Sequence, residues 1–153
     1  MRAILQRVEK SSVRVDGEVV GEIGQGILAL VGVEHGDTPE DAQALARKMA
    51  ELRLFEDAEG RMNLDSASVG GAFLIVSQFT LAASLVKGRR PSFNNAAAPA
   101  DAEPLVTAVM DDLRQRGFEV AGGRFGAMMK VELTNDGPVT FILKVAGGRV
   151  VAS

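Results

Sequence analysis

The sequence has no cysteine, no tryptophan and no tyrosine, one histidine and seven phenylalanines. Without thiols there is no disulfide, thiolate nucleophile, zinc ribbon or iron–sulfur ligation, and the chain suits a reducing compartment, so the cytoplasm is expected. The few aromatics sit mostly inside apolar runs, which argues against a platform on which single-stranded bases stack. Long apolar runs are missing too. Nothing approaches the ~20 residues that cross a bilayer, and MRAILQRVEK carries charges where a secretory leader needs an unbroken apolar stretch. Lys and Arg number 17 against 20 Asp and Glu, for a net charge of −3. A chain so charged has no general attraction for a polyanion, so any RNA contact must be local.

Several chemistries are also missing. His35, in VEHGD, cannot make a two-histidine metal helix alone, and it reads as a solvated loop residue. No nucleophile elbow, phosphate-binding glycine loop or dinucleotide turn occurs. Glu56, Asp57 and Glu59 flank a turn, but Gly60 is wrongly placed for a calcium loop, so the cluster reads as a polar turn. We assign no metal and no cofactor.

What is present is a chain of 153 residues, 46% hydrophobic, enough for one domain over 1–153 with a substantial core. Residues 2–8 and 12–15 read as strand, with Asp16-Gly17 turning into a strand at 18–23. ILALVGV, 27–33, and GGAFLIVSQFTL, 70–81, are apolar on both faces, as central strands are. Thr38 caps a helix that starts at Pro39 and runs to about residue 51. LRLFEDAEGRMNL suggests a short strand, a turn at 57–60 and a return. A second helix spans 99–116, stopped by Gly117, with Pro104 awkward beyond the first turns. Strands at 118–121, 127–134 and 138–146 complete an α+β fold of mostly antiparallel sheet with two main helices.

Two segments invite a function. Ser77, Gln78 and Thr80 interrupt an apolar strand at its exit, where backbone N–H groups and hydroxyls can face a ligand as an oxyanion site; the plain alternative is a polar strand end. No histidine or lysine lies near Thr80 in sequence to act as its base, so fixed donors or the substrate's own groups would carry the work. The 82–98 segment holds Lys87, Arg89 and Arg90, and a loop that long is functional or disordered. In TNDGPVTFIL, Asn135-Asp136-Gly137 on its own reads as a hairpin turn between two apolar runs, with Pro138 opening the second strand.

Read together, QRV at 6–8, SQFTL at 77–81 and NDGPVTF at 135–141 resemble the D-aminoacyl-tRNA deacylase family. GEIGQGILALVGV, DAEGRMNL and KGRRPSF follow the family's order and spacing, so the resemblance covers about residues 1–145. It implies a homodimer that hydrolyses the ester joining a D-amino acid, or glycine mischarged on tRNA-Ala, to the terminal adenosine of tRNA. It also implies that Gly137-Pro138 is a cis peptide inserted into the partner's pocket to exclude an L substituent. Ser77, Gln78, Phe79 and Thr80 would line the ester, and Arg7 and Met129 would brace the Gly-Pro element. Lys87, Arg89, Pro91, Ser92 and Phe93 would lie near the terminal adenosine. Ser84 departs from the acid that relatives often carry after TLAA, and the GGRVVAS tail runs past the usual end without adding to the site. The alternatives are a related deacylase that edits a mischarged L-amino acid and a non-catalytic homodimeric binding module.

Overall fold

The sheet is built outward from two adjacent strands that are apolar on both faces. The computed structural model describes all of residues 1–153. In chain order the elements are β1 (Arg2–Val15), β2 (Glu18–Ile23), β3 (Gly26–Gly32), α1 (Pro39–Glu51), β4 (Phe55–Glu56), β5 (Met62–Leu64), α2 (Ser66–Val69), β6 (Ala72–Ser77), α3 (Pro99–Gln115), β7 (Val120–Gly122), β8 (Lys130–Ala146) and β9 (Arg149–Val151). The main sheet runs β7-β6-β3-β1-β8-β9, with β2 also on β1, while β4 and β5 form a separate hairpin. Pairs β3/β6 and β6/β7 are parallel and the others antiparallel. The α+β class with mostly antiparallel sheet therefore holds, with a parallel corner where the two most apolar strands meet.

Strand alternation explains why β3 and β6 need cover on both sides. Ile27, Ala29, Val31, Phe73 and Ile75 join Leu45 and Met49 of α1 and Val109 and Leu113 of α3 in one core. Leu28, Leu74 and Val76 face the other way, against Val8, Val13 and Ile23, because the sheet curls to bring β2 beside β7. That closure needs glycine: a Cβ on Gly21 would run into the Gly122 carbonyl oxygen.

Local signals hold well. Asp16 and Gly17 both take positive φ, as the tight hairpin needs. Thr38 and Asp41 form a reciprocal capping box at α1. Asp41 also accepts the Gly148 N–H at 2.7 Å, tying the β8–β9 turn to the helix. Burial alone would raise its pKa, but bonds from Gly148 and Thr38 outweigh that and hold the carboxyl below its ordinary value.

Several expectations need correcting. The 2–8 and 12–15 segments are one strand, bulged where its register shifts. The run 70–81 ends as strand at Ser77 and turns into a 3₁₀ helix, Phe79–Ala82. α2 and β9 were not foreseen, both being short pieces of weak pattern. The largest correction concerns Asn135-Asp136-Gly137, which does not reverse the chain. Val8 pairs with Asn135 and Gln6 with Thr140, so residues 136–139 bulge out opposite Arg7 and β8 then resumes along the same neighbour. Asn135 makes the bulge self-contained: its Oδ1 accepts the Val139 N–H at 2.7 Å and its Nδ2 donates to the Val139 carbonyl at 3.2 Å. The Gly137–Pro138 bond within it is cis.

Candidate active site

The end of β6 is held against β3 and then turned sharply. Gln78 N–H donates to the Val31 carbonyl at 2.8 Å, extending the β3/β6 ladder by one bond. The next N–H to return within the turn is that of Leu81, to the Gln78 carbonyl at 3.2 Å. The N–H groups of Phe79 and Thr80 open a 3₁₀ turn, so they have no partner inside it. Gly32 makes room beneath: a Cβ there would lie 2.9 Å from Leu81 Cβ and 3.0 Å from the Gln78 carbonyl oxygen.

Beside this turn is a cleft of about 720 Å³. Ser77, Gln78 and Phe79 form one wall, Phe93 and 96–99 another, and Phe125 to Met129 a third. The Phe79 and Phe93 rings meet edge to face with centroids 5.0 Å apart. No residue lining the cleft is ionisable. Thr80 stands just outside it, exposed, and its hydroxyl accepts a hydrogen bond from Gln78 Nε2.

The basic segment is organised rather than loose. Ser84 and Ser92 exchange backbone bonds of 2.8 and 2.9 Å, closing residues 85–91 into a loop. Lys87, Arg89, Arg90 and Pro91 are exposed on it, and Ser92 is half-buried at its base. The loop's return leads directly to Phe93 in the cleft wall. His35 is exposed, and its N–H donates to Asn95 O at 3.0 Å. Glu56, Asp57 and Glu59 do not converge: Asp57 holds its own turn, and Glu56 points towards Arg7 at 4.0 Å.

The other predicted residues lie elsewhere in the chain. Arg7 is 5% exposed; its Nε donates to the Asp136 carbonyl at 2.8 Å and its Nη1 to the Leu54 carbonyl at 2.7 Å. It thus grips the residue before Gly137, while Gly137 and Pro138 are exposed. Their bulge lies three strands from β6 and four residues along from Ser77, about 20 Å at ordinary strand spacings. Met129 immediately precedes β8, whose middle carries the bulge, and it lines the cleft with Ser77. One chain therefore assembles Ser77, Gln78, Phe79, Phe93 and Met129, and holds Arg7 and Gly137-Pro138 apart from them. The reading of the sequence missed Phe125 and Met128 as cleft walls. Met128 is 86% exposed, and its signal was an apolar residue in the run assigned to a strand at 127–134.

The D-Tyr-tRNA(Tyr) deacylase family model matches residues 4–144, a span that holds every one of these residues. The chain belongs to the D-Tyr-tRNA(Tyr) deacylase family. It is 59% identical over 143 residues to the D-aminoacyl-tRNA deacylase of Syntrophotalea carbinolica, covering 94% of this chain and 96% of that protein. It is 58% identical to the protein of the same name from Chloroflexus aurantiacus, covering 95% and 91%. Among solved structures, a c-Myc DNA unwinding element binding protein superposes with TM-score 0.88 at 38% identity, covering 94% of this chain and 98% of that one. A probable eukaryotic D-amino acid tRNA deacylase has TM-score 0.79 at 18% identity, covering 92% and 97%, a likeness of fold. Within the deacylase family's matched span, the cleft at the β6 exit is the feature that joins an apolar cavity to unpaired backbone donors.

Proposed function

We propose that the protein hydrolyses the ester bond of D-aminoacyl-tRNA, and of glycine mischarged on tRNA-Ala, releasing the free amino acid and tRNA. The observation that carries this reading is a cleft with no ionisable wall beside the unpaired N–H groups of Phe79 and Thr80. Such a site has no acid–base machinery of its own, but it can stabilise the oxyanion of an attacked ester with fixed donors. A water oxygen attacks the carbonyl carbon, and the ester C–O bond breaks. The water proton passes, with the neighbouring ribose hydroxyl's help, to the departing ribose oxygen. Thr80 is a poor nucleophile here, since its hydroxyl faces an amide donor.

The active protein is a homodimer in which Gly137-Pro138 of one subunit enters the cleft of the other. The wide separation of bulge and cleft within one chain supports this, as does the exposure of a stretch so poor in side chain. Main chain facing the substrate α-carbon rejects an L substituent by clash and leaves the D side chain outside, so the amino acid's identity is not read. Arg7 braces the element from its own subunit and Met129 meets it from the other. Ser77 and Gln78 line the ester, while Lys87, Arg89, Pro91, Ser92 and Phe93 take the tRNA 3′ end. The setting is the cytoplasm, where charged tRNA is made, and the whole chain acts as one domain.

The test is release of amino acid from D-tyrosyl-tRNA and L-tyrosyl-tRNA by the purified protein. Rapid release of the D-amino acid alone is expected. Release of the L-amino acid instead would make this an editing enzyme for mischarged L-amino acids, and release of neither would make it a binding module.

A further inference from the structure

The DAEGRMNL segment has no role in the reaction just proposed, yet the residues that lead into it, Leu54 and Glu56, abut the buried cation that grips the Gly-Pro bulge. Arg7 Nη1 bonds the carbonyl of Leu54, a buried residue that leads into β4, and Arg7 Nε bonds the carbonyl of Asp136. The carboxylates of Asp136 and Glu56 lie 3.7 and 4.0 Å from the same guanidinium. A guanidinium is a rigid plane of donors, so an acceptor fixed on one nitrogen dictates where the acceptor on another must stand. Asn135 settles only the bulge's internal shape. The ladder anchors the two ends of the bulge, Asn135 on Val8 and Thr140 on Gln6, and Arg7 ties the Asp136 carbonyl between them to residue 54.

Residue 54 is in turn held by a stiff hairpin. The Asp57 carboxylate accepts the N–H of Glu59 at 2.9 Å, the N–H of Arg61 at 3.0 Å and Asn63 Nδ2 at 3.3 Å. Asn63 Oδ1 accepts Arg53 Nη1 at 3.3 Å, so the chain just before Leu54 is stitched to β5. The Arg61 N–H foremost, with Glu59 and Asn63 behind it, keeps the Asp57 carboxyl below its ordinary pKa. The bonds join both sides of a turn that is exposed at residues 58–63, where they bury no apolar surface.

We propose that the hairpin at 53–64 is a strut for chiral selection: Asp57 and Asn63 are positioning residues that set, through Leu54 and Arg7, where Gly137-Pro138 stands against the substrate. The inference rests on the proposed hydrolysis of D-aminoacyl-tRNA, since only there does the bulge have a substrate to exclude.

The experiment compares D-tyrosyl-tRNA and L-tyrosyl-tRNA hydrolysis by the full chain, as wild type, Asp57→Ala and Asp57→Asn. Asp57→Ala is expected to keep the D rate within about threefold and to lower the D/L ratio about tenfold, since small misplacements of a positioned group cost such factors. Asp57→Asn, whose amide oxygen still accepts, should recover most of the ratio. A D/L ratio unchanged in Asp57→Ala overturns the strut, because a merely structural hairpin would change melting temperature and leave selectivity alone. Should Asp57→Ala fail to fold, Asn63→Ala removes only the outer bonds and is read by the same ratio. A wild type inactive on D-tyrosyl-tRNA overturns the hydrolytic reading itself, whereas a selective wild type with an equally selective Asp57→Ala overturns the strut alone.

Discussion

The side-chain amide of Gln78 donates to the hydroxyl of Thr80, two residues on in the turn that leaves β6. An amide donor cannot take a proton, and the cleft beside this turn is lined by no ionisable group that could serve as the hydroxyl's base. Thr80→Val is therefore expected to lower kcat by less than about tenfold, where loss of a true nucleophile costs on the order of 10⁴ or more. A D-aminoacyl-tRNA lacking the ribose hydroxyl beside the ester should be hydrolysed about 100-fold more slowly, the scale of general acid–base help. Single-turnover kinetics on both pairs decides the route; the reverse pattern would make Thr80 the nucleophile.

The closed loop at 85–91 carries Lys87, Arg89 and Arg90, none of them in an ion pair. If these meet phosphates of the single-stranded 3′ end, each Lys or Arg changed to Gln should flatten the slope of log KM against log salt by about 0.7. Melting temperature should barely move, since all three side chains are solvated. A slope indifferent to all three changes would take RNA away from this loop.

Asp41 links Thr38 to Gly148, and its folded-state pKa lies below the ordinary value. Its stabilising effect is therefore complete above the unfolded pKa of about 3.9 and is lost as pH falls through the depressed folded value. Asp41→Asn should cost about 2 kcal/mol at pH 7, the usual scale for hydrogen bonds to a charged group. Urea unfolding should show the difference from wild type shrinking below about pH 4. A constant difference across that range would mean the charge contributes nothing.

Gly21 faces the Gly122 carbonyl where the sheet closes, and backbone cannot yield as a flexible side chain can. Gly21→Ala should destabilise by about 1–3 kcal/mol, the range for overpacking, measured by the shift in urea midpoint. Gly17→Ala is a useful contrast: nothing lies near its Cβ, so its cost comes from the positive φ alone.

Periodicity and caps were enough to locate α1 and α3, the tight turn at Asp16-Gly17 and the two central strands, because each is a local choice repeated over many residues. The fate of Asn135-Asp136-Gly137 could not be read that way. A turn signal reports that the chain bends, and only the pairing of Gln6 and Val8 across β8 decides that it bulges instead of reversing. The cleft was half legible: SQFTL marked one wall, while Met128 passed for a strand residue and Phe125 lay between expected strands, because exposure is a property of neighbours.

Residue types alone narrowed the chemistry available to this protein: with no cysteine and one histidine there is no thiolate nucleophile and no histidine cluster. Tertiary structure alone decided the distances. It set the bulge about 20 Å from the cleft of its own chain, since strand order in a sheet follows from packing between segments remote in sequence. It also joined Arg7 to Leu54 and Asp136, residues that no local pattern relates, because a buried guanidinium must find acceptors wherever the fold brings them.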